Sequence, residues 1–352
     1  MTVRTSGDRF RVNLRARIQA QANTSFPAPG GADSFRADQF LIRRARIALR
    51  ASYDEAWELY VQLGVATSDV DPEAPSILRD GVITWKGLRD LNIRAGQTKI
   101  PFDRQRLTSS SALQMVDRSL ITGELNIDRD VGIQATSDDF LGLGGRLHYA
   151  LGVFGGDGRN RIVTRPGLLY VAKASYRPFG SFDETESDLA FEPSPKVAVS
   201  IAGARNIRSS RERSTIGPVY RLGTVNYWHA MMDAQLKWRG FSFLAAALIR
   251  RADNALITND ALGLWEFSRS GWGYFAQSGY LFLTRFEVVA RFGELRPFDD
   301  MPGFSLTREI GAGLNWYAMK HNLKIQVDYH YVYFPGGPGG RHQARVQGQM
   351  YF

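Results

Sequence analysis

The 352-residue chain contains no cysteine, which removes disulfide frameworks, thiolate metal sites and cysteine nucleophiles together. It also has no long apolar run: the longest is Phe243 to Ile249, seven residues, far short of the ~20 a transmembrane helix needs. No charged-then-apolar leader stands at the amino terminus, and Met1-Thr2-Val3-Arg4 reads as the start of a mature or re-engineered chain, with any export signal not in view. The histidines His148, His229, His321, His330 and His342 are scattered without metal-ligand spacing, so neither a metal nor a cofactor is expected. Gly155-Gly156-Asp157-Gly158-Arg159-Asn160 lacks the Gly-Lys-Ser/Thr ending of a P-loop and reads as loop. What remains is 44% apolar and 12% aromatic, with 35 glycines and a net charge of +9. An apolar share of that size excludes intrinsic disorder. The profile suits many short strands joined by turns.

The hydrophobic period supports that reading. Phe10, Val12, Leu14, Ala16, Ile18, Ala20 and Ala22 alternate with Arg11, Asn13, Arg15, Arg17, Gln19 and Gln21, a period of two over thirteen residues. Soluble strands are usually about half as long. The same alternation recurs around Trp57–Val65, Val131–Ala135, Trp228–Trp238 and Leu323–Tyr331. Sixteen such segments begin near residues 10, 39, 56, 78, 90, 130, 143, 168, 196, 225, 240, 272, 285, 308, 322 and 341. Their connections alternate between tight ones, such as Asp54-Glu55 and Arg239-Gly240, and long ones, such as 67–77, 100–129 and 207–224. Outer-membrane barrels have this asymmetry, with short periplasmic turns and long external loops. One connection breaks it: 178–195, with Pro178, Pro193 and Pro195, falls on the short-turn side yet is long. Trp57, Trp85, Trp228, Trp238, Trp272 and Trp316 sit at strand ends, where interfacial aromatic girdles lie. A terminal Phe352 closing an alternating strand resembles the assembly signal of bacterial outer-membrane proteins. The expected fold is all-β: residues 1–352 form a single sixteen-stranded antiparallel transmembrane β-barrel, with a long third loop folded into the lumen.

A closed barrel of this size leaves an aqueous channel, so the polar half of each strand should face water and solute. That half is basic early in the chain, at Arg11, Arg15, Arg17, Arg44, Arg46, Arg50, Arg94, Lys99, Arg104 and Arg106. Arginine and lysine rings favour anions. The alternative is that these groups pair with Glu58, Asp80 and Asp130 and stiffen the wall. Arg43 has the wrong parity and must sit at a bulge, snorkel or meet another subunit. Lys99 to Ser111 opens the longest loop, and Thr108, Ser109 and Ser110 with Arg106 offer hydroxyl and guanidinium donors that suit a phosphate oxygen.

Arg43-Arg44-Ala45-Arg46, the run Arg94-Ala95-Gly96-Gln97-Thr98-Lys99-Ile100-Pro101-Phe102, the Thr108-Ser109-Ser110 loop and Asp128-Arg129-Asp130-Val131-Gly132 occur in order. With Leu314-Asn315-Trp316-Tyr317 and His321-Asn322-Leu323-Lys324 they resemble the phosphate-selective porin O and P family. The resemblance implies a sixteen-stranded homotrimer with a constricting third loop and an arginine ladder leading to a central phosphate site. By position, Arg17, Arg43, Arg44, Asp80 and Arg94 resemble the family's wall residues, and Ser109 and Ser110 its loop hydroxyls. Where phosphate-selective members carry a loop lysine, this chain has Arg104 and Arg106, and it has Arg46 where an aromatic is expected.

The expected function is a water-filled, anion-preferring outer-membrane porin of a Gram-negative bacterium, with both termini periplasmic. Its expected partners are phosphate, chloride, outer-membrane lipid and lipopolysaccharide. A general diffusion porin for small hydrophilic solutes is the nearest alternative. A barrel phospholipase would need an outward Ser paired with an outward His, which no segment supplies, so no enzyme activity is expected. A structural barrel plugged by its loops would not conduct. Nucleic acid is not expected, because the arginines alternate into strands rather than forming an exposed patch.

Overall fold

The computed structural model describes residues 2–4, 9–28, 36–71, 75–162, 167–259, 261–299, 301–337 and 339–352. Sixteen strands form one antiparallel sheet closed on itself. In chain order they are β1 Phe10–Pro27, β2 Ala37–Tyr53, β3 Trp57–Gly64, β4 Leu78–Leu88, β5 Leu91–Lys99, β6 Arg129–Ser137, β7 Leu147–Phe154 and β8 Leu169–Tyr176. The second half runs β9 Lys196–Ser209, β10 Val225–Trp238, β11 Phe241–Ala252, β12 Gly271–Phe282, β13 Phe286–Pro297, β14 Thr307–Met319, β15 Leu323–Tyr333 and β16 Gly340–Tyr351. A short strand, Thr2–Arg4, pairs with the start of β1. Closure is made by β16 against β1, from Arg17 opposite Tyr351 to Pro27 opposite Arg341. Closure leaves no sheet edge, which a bilayer demands because it offers no hydrogen bonds to an open one.

Alternation sets which face each residue takes. In β10, Tyr227, His229, Met231, Asp233, Gln235 and Lys237 are buried, while Trp228, Ala230, Met232 and Trp238 are exposed on the outer face. Tight turns occupy one end of the barrel. Arg239 and Gly240 join Trp238 to its partner Phe241 with φ of 49° and 85°, the two positive values of a type I′ turn. A Cβ on Gly240 would stand 2.7 Å from the Leu281 carbonyl oxygen. Gly240→Val is therefore expected to cost about 1–3 kcal/mol, read as a lower urea midpoint for barrel unfolding.

Two β-bulges break the alternation on the early, arginine-rich strands. Gln19 pairs with Arg44 but Ala20 with Ile42, so Arg43 is the extra residue. Gln62 pairs with Asp80 but Leu63 with Leu78, so Arg79 is extra in the same way. Arg43 therefore does not face another subunit: its side chain reaches Asp117, the same carboxylate that Arg44 binds.

The polar half of every strand does not simply line water, contrary to the sequence expectation. The connection 100–128 is irregular apart from α1 (Arg104–Leu107, capped by Asp103) and α2 (Leu120–Leu125, capped by Ser119). Buried irregular backbone must find hydrogen-bond partners. Strand side chains supply them. Lys324 Nζ donates to the Leu113 carbonyl at 2.8 Å, Asn315 Nδ2 and Gln326 Nε2 to the Gln114 carbonyl at 2.8 and 2.9 Å, and Gln349 Nε2 to the Ser111 carbonyl at 3.1 Å. Asp328 accepts from the Val116 amide, and Glu309 from that of Leu120. Apolar residues complete the seat: Ile100, Phe102, Ile121, Leu125 and Ile127 pack with Met231, Leu244, Leu248, Phe275 and Leu295 of β10–β13. This is why Phe243–Ile249 is apolar at every position: its two faces meet two apolar environments.

The long connection 177–195 on the short-turn side binds the same segment. Glu186 accepts from Gln105 Nε2 at 3.0 Å, from the Gln114 amide at 2.7 Å and from Gln277 Nε2 at 3.0 Å. Lys237 Nζ holds the carbonyls of Asp183 and Ser187, at 2.6 and 2.8 Å.

Candidate functional site

Opposite the strands that bind 100–128, the wall of β2–β6 bounds a cavity of ≈ 640 Å³. From β2 come Arg43, Arg44, Arg46 and Arg50, and from β3 Glu58, Tyr60 and Gln62. From β4 come Arg79, Asp80, Thr84 and Lys86, from β5 Asn92, Arg94, Thr98 and Lys99, and from β6 Arg129, Gln134 and Thr136. The 100–128 connection adds Arg106, Leu107, Ser109, Ser110, Arg118 and Asp128. In all, ten arginines and two lysines line it against five carboxylates. The two bulges add to this, since each puts two successive charged residues, Arg43-Arg44 and Arg79-Asp80, on the enclosed face.

Many of these charges are paired. Arg129 binds Asp80 through two bonds of 3.0 Å, so Asp80 is a neutralised partner rather than a free carboxylate. Arg106 Nε donates to Asp128 at 2.9 Å, and Arg46 and Arg79 share Asp69. Arg50 and Lys86 share Glu58 at 2.7 and 2.9 Å. Asp130 takes no arginine; it accepts from the backbone amides of Val131 and Gly156.

Four cations on or beside this wall are held by neutral groups in place of a carboxylate. Arg94 donates to Thr98 Oγ1 at 3.4 Å. Lys99 Nζ binds the carbonyls of Leu107 and Thr108 at 2.7 and 3.3 Å. Arg118 binds those of Gln105 and Thr108 at 2.8 and 2.7 Å. Arg17 donates to Ser109 Oγ at 3.3 Å and Ser110 Oγ at 3.0 Å, and its buried Nε has no partner. Arg46 Nη1 reaches Ser110 as well, at 3.3 Å. Guanidinium groups stay charged at any relevant pH, so the charge of the three arginines among them is permanent.

Most of the residues read from the sequence converge here, but two do not contribute the groups expected of them. Arg104 turns to the far wall, where Nε meets Asp233 at 2.6 Å and Nη2 meets Ser200 at 2.6 Å, with Glu184 on its third nitrogen. The reason is its place at the start of α1, which faces β9 and β10. The Thr108 hydroxyl closes the same turn by donating to the Arg104 carbonyl at 3.0 Å, so only its own carbonyl serves the site. Sequence reasoning missed Arg79, Asp117 and Arg118. The signal for the last two was a charged pair following Ala112-Leu113-Gln114-Met115-Val116 in a buried connection.

The connection carboxylates are strongly held as anions. Burial opposes ionisation of Asp69, Asp117 and Asp128, but it is outweighed. Arg46 lowers Asp69, Arg44, Arg43 and Arg345 lower Asp117, and Arg106 and Arg129 lower Asp128. Folded values below the unfolded ~4 mean these pairs stabilise the protein above that pH and are lost as pH falls through the lower folded values. Protonation would remove negative charge. A rise in anion preference on acidification is therefore expected from them only below about pH 4, measured as a reversal-potential shift.

An uncharacterized protein of Aquifex aeolicus (strain VF5) is 24% identical over 257 residues, which cover 68% of this chain and 59% of that one. The chain thus spans little more than half the length of that relative. Among solved structures, the anion-selective porin from Comamonas acidovorans superposes with a TM-score of 0.62 at 12% identity, covering 97% of this chain and 100% of that one. The outer-membrane channel DcaP of Acinetobacter baumannii gives a TM-score of 0.62 at 13% identity and 99% coverage of both. Both likenesses are of fold. In sequence, residues 12–182, which carry the cationic wall and the 100–128 connection, match the model of the family phosphate-selective porin O and P.

Proposed function

We propose that this porin forms a water-filled outer-membrane channel that prefers anions, with phosphate-class oxyanions as its principal solutes. In this reading the 100–128 connection is the constriction, held against one side of the lumen so that solutes pass along the β2–β6 wall. The observation that carries it is the excess of cations over carboxylates in the cavity, with Arg94, Lys99 and Arg118 held only by neutral groups and Arg17 beside them on Ser109 and Ser110. Arg94 and Lys99 on the wall and Arg17 with Ser109 and Ser110 supply charge-assisted donors, which a partly dehydrated oxyanion needs. Arg44, Arg46 and Arg106 contribute field, although their carboxylate partners take up their nearest donors.

The tight turns and the chain ends share one end of the barrel, where the Asp54 amide donates to the Arg9 carbonyl and the Phe352 amide to that of Ala16. We assign that end to the periplasm, by the turn-length asymmetry of outer-membrane barrels. The assembly is proposed to be a homotrimer, through an outer face that includes Ala45 and Ala95, and the barrel to act as a channel without catalysis.

The test is the reversal potential of single channels in a KCl gradient, repeated with phosphate. Chloride preference that sharpens as salt falls is expected, because screening weakens. A cation-preferring channel would overturn the reading. Chloride preference with no phosphate block at millimolar concentration would reduce it to a general anion-preferring porin.

A further inference from the structure

Two carboxylates of the 100–128 connection meet three guanidinium groups each: Glu124, with Arg213, Arg250 and Arg269, and Asp117. Asp117 Oδ1 lies 2.8 Å from Arg44 Nη2 and 3.2 Å from Arg43 Nη2, and its Oδ2 lies 3.6 Å from Arg345 Nη1. It is also reachable: the side chains of Asp117 and Arg43 are 24% and 28% exposed, against 5% for Arg44. They open onto a second cavity of ≈ 380 Å³, lined in part by Gln39, Arg341, Gln343 and Arg345. The carboxylate does not anchor the backbone. The Val116 amide donates to Asp328 at 2.8 Å and the Asp117 carbonyl accepts from Arg291 at 3.0 Å, so the backbone before and after the side chain is held by other groups.

We propose that Asp117 is a tethered competing anion: its carboxylate fills the oxyanion position between Arg43, Arg44 and Arg345, and a solute oxyanion must displace it to bind there. This rests on the anion-channel reading above and adds what sets the residence time of the solute. Arg345 also binds Asp328 through bonds of 2.7 and 2.8 Å, so without Asp117 it is Arg43 and Arg44 that would lack a counter-ion. Two such permanent charges beside a third would hold an oxyanion too long, whereas conduction requires a site weak enough to leave. A carboxylate fixed on the same chain acts at an effective concentration of millimolar or more. Bulk anions below that level win only transiently, and the solute hops on as the carboxylate returns.

The test is inorganic phosphate titrated against single-channel chloride current for the wild type, Asp117→Asn and Asp117→Glu. Asparagine keeps the size but lacks the charge, so half-block should fall to about one-tenth of the wild-type phosphate concentration, with longer blocked events. Glutamate should return the half-blocking concentration toward wild type. Asp117→Ser serves as a second charge-free variant if the amide disturbs assembly. An unchanged or weaker block in the charge-free variants, with chloride preference intact, would overturn the competing-anion role and leave the anion-channel reading standing. Cation preference in the wild type would overturn both.

Discussion

Arg94→Ala is expected to weaken phosphate block of chloride current tenfold or more, while Ser109→Ala weakens it far less. Arg94 spends one nitrogen on a long 3.4 Å bond to Thr98, so its remaining donors are free for a solute. A charge-assisted hydrogen bond contributes ~1.5–3 kcal/mol, and ~1.4 kcal/mol is a factor of ten in affinity. Ser109 differs because its hydroxyl already sits 2.8 Å from that of Ser111 and 3.3 Å from Arg17, so removing it takes away one of several neutral donors. Arg94→Lys should recover part of the block, since it restores charge without the fork. Half-blocking phosphate concentration, measured in planar bilayers, decides the ranking. A larger loss for Ser109→Ala than for Arg94→Ala would show that hydroxyls rather than charge dominate the site.

The second large effect is expected at Glu186, on the connection 177–195. Its carboxylate satisfies three donors, two of them on the 100–128 connection, and it is 1% exposed. Glu186→Ala would leave those donors buried without an acceptor, at about 1–3 kcal/mol each. The connection should then leave its seat for part of the time. Single-channel records are expected to show a higher mean conductance with frequent steps between levels, at unchanged sign of selectivity. Records as steady as wild type would mean that the strand side chains alone hold the connection.

The barrel was legible in the sequence because a closed sheet in a bilayer imposes one rule, alternation, on every strand. Each of the sixteen segment starts lies within a few residues of a strand start, for instance 10 against Phe10, 225 against Val225 and 272 against Gly271. Alternation could not report the bulges, because an inserted residue looks like a parity error until its partners are known. Arg43 was recognised as such an error, but Arg79 passed unnoticed beside Asp80. The pairing of each arginine was also hidden, because partners such as Arg44 and Asp117 are 73 residues apart. The role of 177–195 was out of reach for the same reason: nothing local announces that Glu186 will meet Gln114, 72 residues away.

The seat of the 100–128 connection has a consequence for the order in which the channel is built. Several of its fixing bonds come from the last strands made: Lys324 is 211 residues from Leu113, and Gln349 is 238 residues from Ser111. Contacts of such sequence separation form late, because the intervening chain must first be ordered. An amino-terminal half released early would thus carry its arginines beside a connection only partly seated. In the reading of that connection as the constriction, the step that seals the sheet also completes the filter, and an unsealed intermediate would lack part of its selectivity.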